Sequence, residues 1–479
     1  MSVEIYLMTQ GLFFKTKDRK LINIITQEYT FERMEGFGKY LKKAYYPYYK
    51  KVLGGILVPR TSLFNPEIKP FIKNIPIINY LKSKDIKIYS KALYSDNQKI
   101  VLNYVIDQFN AYLKKDQDPL RTGCIVVMGT GLGKTYLAIG FIASIKKKAL
   151  YVTYDEKSLL AAHDTLSKFL SCKIGLYYGK KKEDGDVVIA IVNSLLNAPT
   201  SFFDSFGTVI YDELPEYITD TRYELFFKCN CFNIGLTATP EKGGLEKIAI
   251  DMVGPLIYAD QIKGYNIQEV EFNGTVHVIN YKNQTVIKRE YTDFMQTIKT
   301  FLDDKYRMQI ILLWMHKLVG KGKSVYIFAT LKSILETLYF KCPYKKAFLK
   351  GGALQEDYED ARKAQVIFTT YKFGDKALSI AHMDAIIYAT PRKENTQSLG
   401  RILRRDGDPL SKREIVDIVD SCFYKQYPLR KKVYLDKGYN IIKHKSFIST
   451  YKMLFVYWLF QIWELPVYNI IKELFVLYA

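Results

Sequence analysis

The sequence predicts an α/β protein: two parallel-sheet units in tandem, each flanked by helices, with a small basic module ahead of them. Three observations predict it. Short apolar runs alternate with stretches of helical apolar spacing from about Leu93 to Pro255, and the alternation resumes from about Tyr306 to Ala389. A glycine-rich turn, Gly129-Thr130-Gly131-Leu132-Gly133-Lys134-Thr135, separates one such run from one such helix. The second unit has no turn of this kind and offers an arginine-bearing segment instead, Gln397-Ser-Leu-Gly-Arg401-Ile-Leu-Arg404-Arg405.

Residues 1–90 form the accessory module. They are basic and aromatic, notably over Lys39 to Lys51, and carry no catalytic signature. Interleaved Tyr and Lys can stack bases and track phosphates. The reading favoured for this stretch is plainer, a half-buried surface with solvated lysines. Pro59, Pro66, Pro70 and Pro76 punctuate a loop-rich passage ending near Ser90.

Residues 91–255 are the first α/β domain. A helix start at Asp96 opens an amphipathic stretch to Phe109. The run Cys124–Met128 enters the glycine turn, and Tyr136–Ile145 continues as a helix. Further strands are expected over Ala149–Thr153, Val187–Val192, Thr208–Tyr211 and Asn233–Thr237. Residues 256–300 read as a connector with strand character at Thr275–Ile279. Residues 301–445 form the second α/β domain, with a helix over Tyr306–Val319 and strands over Ser324–Ala329, Ala364–Thr369 and Ala385–Ala389. Residues 446–479 are an apolar helical tail. Its clean run, Met453–Trp463, is well short of the roughly 20 residues that cross a bilayer, so no membrane span is expected.

The formal net charge of +21 points to a polyanionic partner, although an AT-rich genome would enrich lysine without any binding role. Six cysteines include no C-x-x-C pair and suggest neither a zinc site nor a disulfide framework. Neither a signal peptide nor an oxidising compartment is expected.

The glycine turn carries the chemistry. Three glycines let successive N–H groups and a helix N-terminus face one anion-sized hollow. Lys134 would reach the β- and γ-phosphates of ATP, and the Thr135 hydroxyl would hold Mg²⁺. The strand ending at Tyr211 runs into Asp212-Glu213. Two acids at the carboxyl edge of a buried strand need a cation, so Asp212 is expected to hold Mg²⁺ and Glu213 to orient or deprotonate the attacking water. Arg401 and Arg404, three apart, fall on one face of a helix and suit arginine fingers; a basic helix end on nucleic acid or in solvent is the alternative.

Together these stretches resemble superfamily 2 helicases, whose motifs span two RecA-like domains; the resemblance covers about residues 93–440. Gly129–Thr135 match motif I, Asp212-Glu213 motif II, Thr237-Ala-Thr239 motif III, Thr369–Gly374 through Ile380 motif V, and Gln397–Arg404 motif VI. The resemblance implies that Gln98 reads adenine and that Gln397 joins the nucleotide site. Lys157, Ser194, Thr369 and Thr370 would touch the nucleic-acid backbone. Within the superfamily the chain is similar to helicases of large cytoplasmic DNA viruses, the asfarvirus and mimivirus type, related to the poxvirus transcript-release helicase. That implies an ATP- and Mg²⁺-using motor on nucleic acid, DNA rather than RNA, in viral transcription or genome handling. It would work as a monomer beside the viral transcription machinery, in the viral factory of the host cytoplasm or packaged in the virion. An RNA helicase is the first alternative. The second is a catalytically weak nucleic-acid-binding subunit, because motif II continues Leu214-Pro215 where the family carries Ala-His or Ala-Asp.

Overall fold

The computed structural model describes the chain except residues 1, 2, 9, 10, 36–41, 73, 74, 76, 80–82, 114–122, 130, 220, 230, 241–245, 267–273, 284–293, 378, 379, 381, 394, 403–411 and 445–479. The apolar tail expected over 446–479 therefore lies outside the described residues. Two compact units divide the chain, residues 1–270 and 271–479. Among the described residues no helix is long and apolar enough to cross a membrane.

The first unit is organised on an eight-stranded sheet. Its order is Lys181–Lys182, Ile174–Tyr178, Val187–Ile191, Ala149–Thr153, Thr208–Asp212, Phe232–Thr237, Gly123–Val127, Leu256–Tyr258. Every pairing is parallel except the short hairpin at Lys181–Lys182. Parallel strands are covered on both faces, which is why Val187–Ile191 and Gly123–Val127 read as continuous apolar runs. In register, Val127 pairs with Thr237, Asp212 with Leu236, Val152 with Tyr211 and Ile191 with Thr153. The loops leaving these strands therefore emerge along one sheet edge.

One face of that sheet is covered by the N-terminal residues. A five-stranded sheet runs Lys50–Val52, Gly55–Val58, Gly11–Lys15, Glu4–Met8, Ile77–Asn79. The helix Arg19–Glu28 starts on Asp18, whose carboxylate accepts from the Lys20 and Leu21 N–H groups, and it buries Leu21 and Ile25 one turn apart. Ile5, Leu12, Phe14, Leu21 and Ile25 join Leu150, Val152, Val209 and Tyr211 in a single core. The opposite face is filled by the helix Lys134–Ile145, which follows the glycine turn, and by Ile86 and Ile88. Residues 83–90 thus pack with the α/β sheet, and the module expected over 1–90 ends earlier than its proline-rich passage suggested. It belongs to the same compact unit as the eight-stranded sheet, with which it shares that core.

Polar contacts stitch the same seam. The Tyr48 hydroxyl donates to Asp251 Oδ2 (2.9 Å), and the Thr61 hydroxyl donates to the Asp251 carbonyl. Burial raises the Asp251 pKa to about 6; the Tyr48 bond and Lys247 lower it, and Glu28 raises it. A carboxyl whose folded pKa exceeds its unfolded one favours the fold at low pH and loses that advantage as pH rises through about 4 to 6. Asp251→Asn keeps an acceptor for Tyr48 and removes the charge. It is expected to stabilise the first unit by about 1 kcal/mol at pH 7.5 and by nothing measurable at pH 4, read by urea unfolding at both. A loss of stability at pH 7.5 would contradict this account.

The second unit is a seven-stranded, wholly parallel sheet: Lys346–Leu349, Val366–Thr370, Val325–Ala329, Ala385–Tyr388, Arg413–Asp420, Gly274–Tyr281, Asn440–His444. Helices Lys305–Gly320 and Lys332–Lys341 cover one face. The fold class is the expected one. The 256–300 connector, however, is shared between the units. Leu256–Tyr258 is the edge strand of the first sheet, and Gly274–Tyr281 lies between two strands of the second. Each pairs as a strand within its own sheet, so neither is left over as a link.

Candidate active site

The strand Gly123–Val127 delivers the chain to the glycine turn, and the helix Lys134–Ile145 takes it away. Gly131 and Gly133 sit at φ +80° and +87°, a left-handed conformation that side-chain-bearing residues avoid. A Cβ at Gly133 would also fall 2.2 Å from Gln98 Nε2. Gln98 is buried: its Nε2 donates to the Leu132 carbonyl (3.1 Å) and its Oε1 accepts from the Ser95 N–H (2.9 Å). The glutamine expected to read adenine thus ties the helix Asp96–Leu113 to the glycine turn. Gly129 is half-buried, Leu132 is buried, and Thr130 lies outside the described residues.

Lys134 begins its helix with a side chain only 10% exposed. Its Nζ stands 3.6 Å from Glu213 Oε1 and donates to the Met128 carbonyl (3.5 Å). Thr135 follows it, half-buried at the helix start. The expected acids Asp212 and Glu213 therefore lie at the mouth of the turn, with Lys134 directed at one of them. Burial and the neighbouring Glu213 raise the Asp212 pKa to about 6, while Lys134 and the Tyr151 hydroxyl, which donates to Oδ2 (2.9 Å), lower it. The Tyr217 hydroxyl lies within hydrogen-bond distance of the Asp212 carbonyl (2.7 Å) and the Val152 carbonyl (2.9 Å). Sequence reasoning passed over both tyrosines. For Tyr151 the available signal was a tyrosine in mid-strand beside the acid-bearing strand, since a buried phenol needs a polar partner; Tyr217, on the 3-10 turn after the acid pair, gave none.

Glu213 itself sits at φ +55°, ψ +57°. This left-handed step in a non-glycine residue turns the chain sharply off the strand. Leu214 then drops into the core against Gly235, where a Cβ would lie 2.6 Å from Leu214 Cδ2. Leu214 and Pro215, where the sequence departs from the motif, are thus both buried, and Glu213 beside them still stands 3.6 Å from Lys134. Thr237 closes its strand with a local turn, its hydroxyl accepting from the Thr239 N–H (3.0 Å).

Lys157 is half-buried in the first turn of the helix Glu156–Phe169, which Asp155 caps by accepting from the Ser158 N–H (2.8 Å). Ser194 is half-buried on the short helix Val192–Leu196. Two expectations in the second unit are corrected. Thr369, expected on a nucleic-acid surface, is fully buried, whereas Thr370 is half-buried at the strand end. The helix expected to carry both arginines stops at Leu399. After Gly400 the chain tightens, with Arg401 N–H donating to the Ser398 carbonyl (3.1 Å) and Ile402 N–H to the Leu399 carbonyl (3.2 Å). Arg413 Nε donates to the Ile402 carbonyl (2.6 Å). Arg401 is half-buried in this turn. Arg404 and the Gln397 side chain lie outside the described residues.

A family model described as "Type III restriction enzyme, res subunit" matches residues 92–242, which hold the glycine turn and the acid pair. African swine fever virus QP509L, named as an ATP-dependent RNA helicase, is 30% identical over 361 residues, covering 66% of this chain and 69% of QP509L. The chain belongs to the viral superfamily 2 helicases. It is an ATP-hydrolysing helicase, and helicases of this family act on nucleic acid. Two further relatives are more distant. L396 of Acanthamoeba polyphaga mimivirus, also named as an ATP-dependent RNA helicase, is 24% identical over 346 residues, or 67% of this chain and 65% of L396. XPB2 of Sulfurisphaera tokodaii, named a DNA 3'-5' translocase, is 23% identical over 239 residues, or 47% of this chain and 52% of XPB2.

Proposed function

We propose that this helicase moves along nucleic acid, DNA in the first reading, in viral transcription (transcript release or elongation) or genome handling in the infected cytoplasm. The observation that carries it is the approach of Lys134 to Glu213 (3.6 Å) at the sheet edge from which the Lys157 and Ser194 loops also leave. Nucleotide chemistry and strand contact then share one rigid border. Lys134 exchanges its carboxylate and carbonyl partners for the β- and γ-phosphates of ATP, and the glycine-turn N–H groups cradle them. Glu213, released from Lys134, orients the attacking water and draws off its proton. The Thr135 hydroxyl and the Asp212 carboxylate are an all-oxygen pair that suits Mg²⁺, and these two residues would hold it. When bound, the ion neutralises charge on the phosphate oxygens. Arg401 and Arg404 keep the reading of arginine fingers for the transferring phosphoryl group, and Thr370 joins Lys157 and Ser194 in the reading of backbone contacts.

The name of XPB2 favours DNA, and the names of QP509L and L396 favour RNA as the second reading. ATPase rates with saturating single-stranded DNA, duplex DNA and single-stranded RNA separate them. Stimulation by DNA at least fivefold above RNA is the expected result. Stimulation by RNA alone would replace the first reading with the second.

A further inference from the structure

Between the acid pair and the motif III strand runs a 3-10 segment, Arg222–Phe227, that none of the helicase motifs includes. Its first residue touches three loops at once. Arg222 Nε donates to Asn193 Oδ1 (3.4 Å), on the helix that carries Ser194. Arg222 Nη1 donates to the Glu216 carbonyl (3.2 Å), in the turn that follows Asp212-Glu213. The guanidinium also lies over the Tyr154 ring (4.7 Å), in the loop that leads to Lys157. These loops leave three neighbouring strands, Val187–Ile191, Ala149–Thr153 and Thr208–Asp212.

The segment holds the Ser194 helix at its other end too. Lys228 Nζ donates to the carbonyls of Leu195 (3.4 Å), Leu196 (2.5 Å) and Ala198 (3.0 Å). Arg222 and Lys228 therefore grip the Val192–Leu196 helix at its start and beyond its end. The N-terminal module braces the segment from behind: Tyr223 donates to the Pro47 carbonyl (2.8 Å), Lys50 pairs with Glu224 (3.4 Å), and Lys50 sits over the Phe227 ring (5.3 Å). Chains of packed side chains and hydrogen bonds of this kind can carry energetic coupling between sites.

We propose that Arg222 is a positioning residue that couples nucleic-acid contact at the Lys157 and Ser194 loops to the placement of Glu213. The inference rests on the proposed reading of those loops as strand contacts. Arg222 touches neither phosphate nor reacting water. It makes the two strand-contacting loops and the acid-bearing turn shift as one. A guanidinium suits this task because its planar fork donates in two directions while its face stacks on an aromatic ring, which an ammonium cannot do together.

The test compares wild type, Arg222→Ala and Arg222→Lys in steady-state ATPase without nucleic acid and with saturating single-stranded DNA, duplex DNA and single-stranded RNA, alongside thermal unfolding. Both variants are expected to keep the unstimulated kcat and the KM for ATP within twofold. Both are expected to lose at least fivefold in stimulated kcat. Should Arg222→Ala fail to fold, Arg222→Lys, which keeps the charge and most of the side-chain volume, decides. Stimulated kcat within twofold of wild type overturns the proposal, and so does an equal fall of unstimulated and stimulated rates, the mark of a merely structural residue. A wild-type enzyme that no nucleic acid stimulates overturns the strand-contact reading first and this inference with it.

Discussion

Glu213→Gln is expected to slow ATP turnover by about 10²–10⁴-fold while ATP still binds. Gln keeps the shape and loses the base, so attack by water is no longer assisted. Binding is expected to hold or tighten, for two electrostatic reasons visible in the site. Glu213 raises the Asp212 pKa, so its removal leaves Asp212 more readily ionised. It also engages Lys134 at 3.6 Å, so its removal frees the ammonium for phosphate. Lys134→Ala should differ in kind, losing both affinity and turnover because the cation that meets the phosphates is gone. Fluorescent-nucleotide binding and single-turnover hydrolysis, both with nucleic acid present, separate the two variants. If Glu213→Gln turns over at the wild-type rate, the catalytic role given to this carboxylate is wrong.

Arg307→Leu is expected to destabilise the second unit by about 3–5 kcal/mol. Arg307 is 1% exposed and pairs with the fully buried Asp420. Its Nε and Nη2 also donate to the Ala389 carbonyl (3.2 and 2.8 Å), and its guanidinium lies over the Phe301 ring (4.3 Å). Burial raises the Asp420 pKa, and Arg307 opposes that shift. Without Arg307, Asp420 keeps only Asn283 Nδ2 (2.8 Å) of the bonds described, and the cost is that of a buried charge left uncompensated. The double variant Arg307→Leu/Asp420→Leu should recover about half of the loss, since a buried apolar pair strands no charge. Urea unfolding of the three proteins measures this. A single-variant loss below about 1 kcal/mol would show that the pair contributes little.

The same ion pair explains which parts of the fold were legible beforehand. Apolar runs such as Val187–Ile191 and Ala385–Tyr388 announce buried parallel strands because their own side chains fill the core. Arg413–Asp420 announces nothing of the sort. It carries Arg413, Glu414, Asp417 and Asp420, yet all eight of its residues are buried. Their charges are met by distant groups: Arg413 by the Ile402 carbonyl, Glu414 by His277 and Lys321, Asp417 by Arg430 and Tyr434, Asp420 by Arg307. No local pattern encodes partnerships between such remote positions, so the strand looks like a solvated face. At the site the glycine turn and the acid pair were readable because their chemistry is local. Tyr151, Tyr217 and Arg222 were not, since each acts across strands that only the folded sheet brings side by side.

The core shared by Ile5, Leu12, Phe14, Leu150, Val152 and Val209 has a practical consequence for anyone trimming this enzyme. A chain begun at residue 91, where the recognisable motor motifs start, would turn one wall of the ATPase sheet toward water. Each large aliphatic or aromatic side chain uncovered forfeits about 1.5–3 kcal/mol, so a handful of them exceeds what a typical domain has in reserve. The minimal soluble ATPase therefore begins at the amino end, and fragments lacking it should be recovered as aggregates.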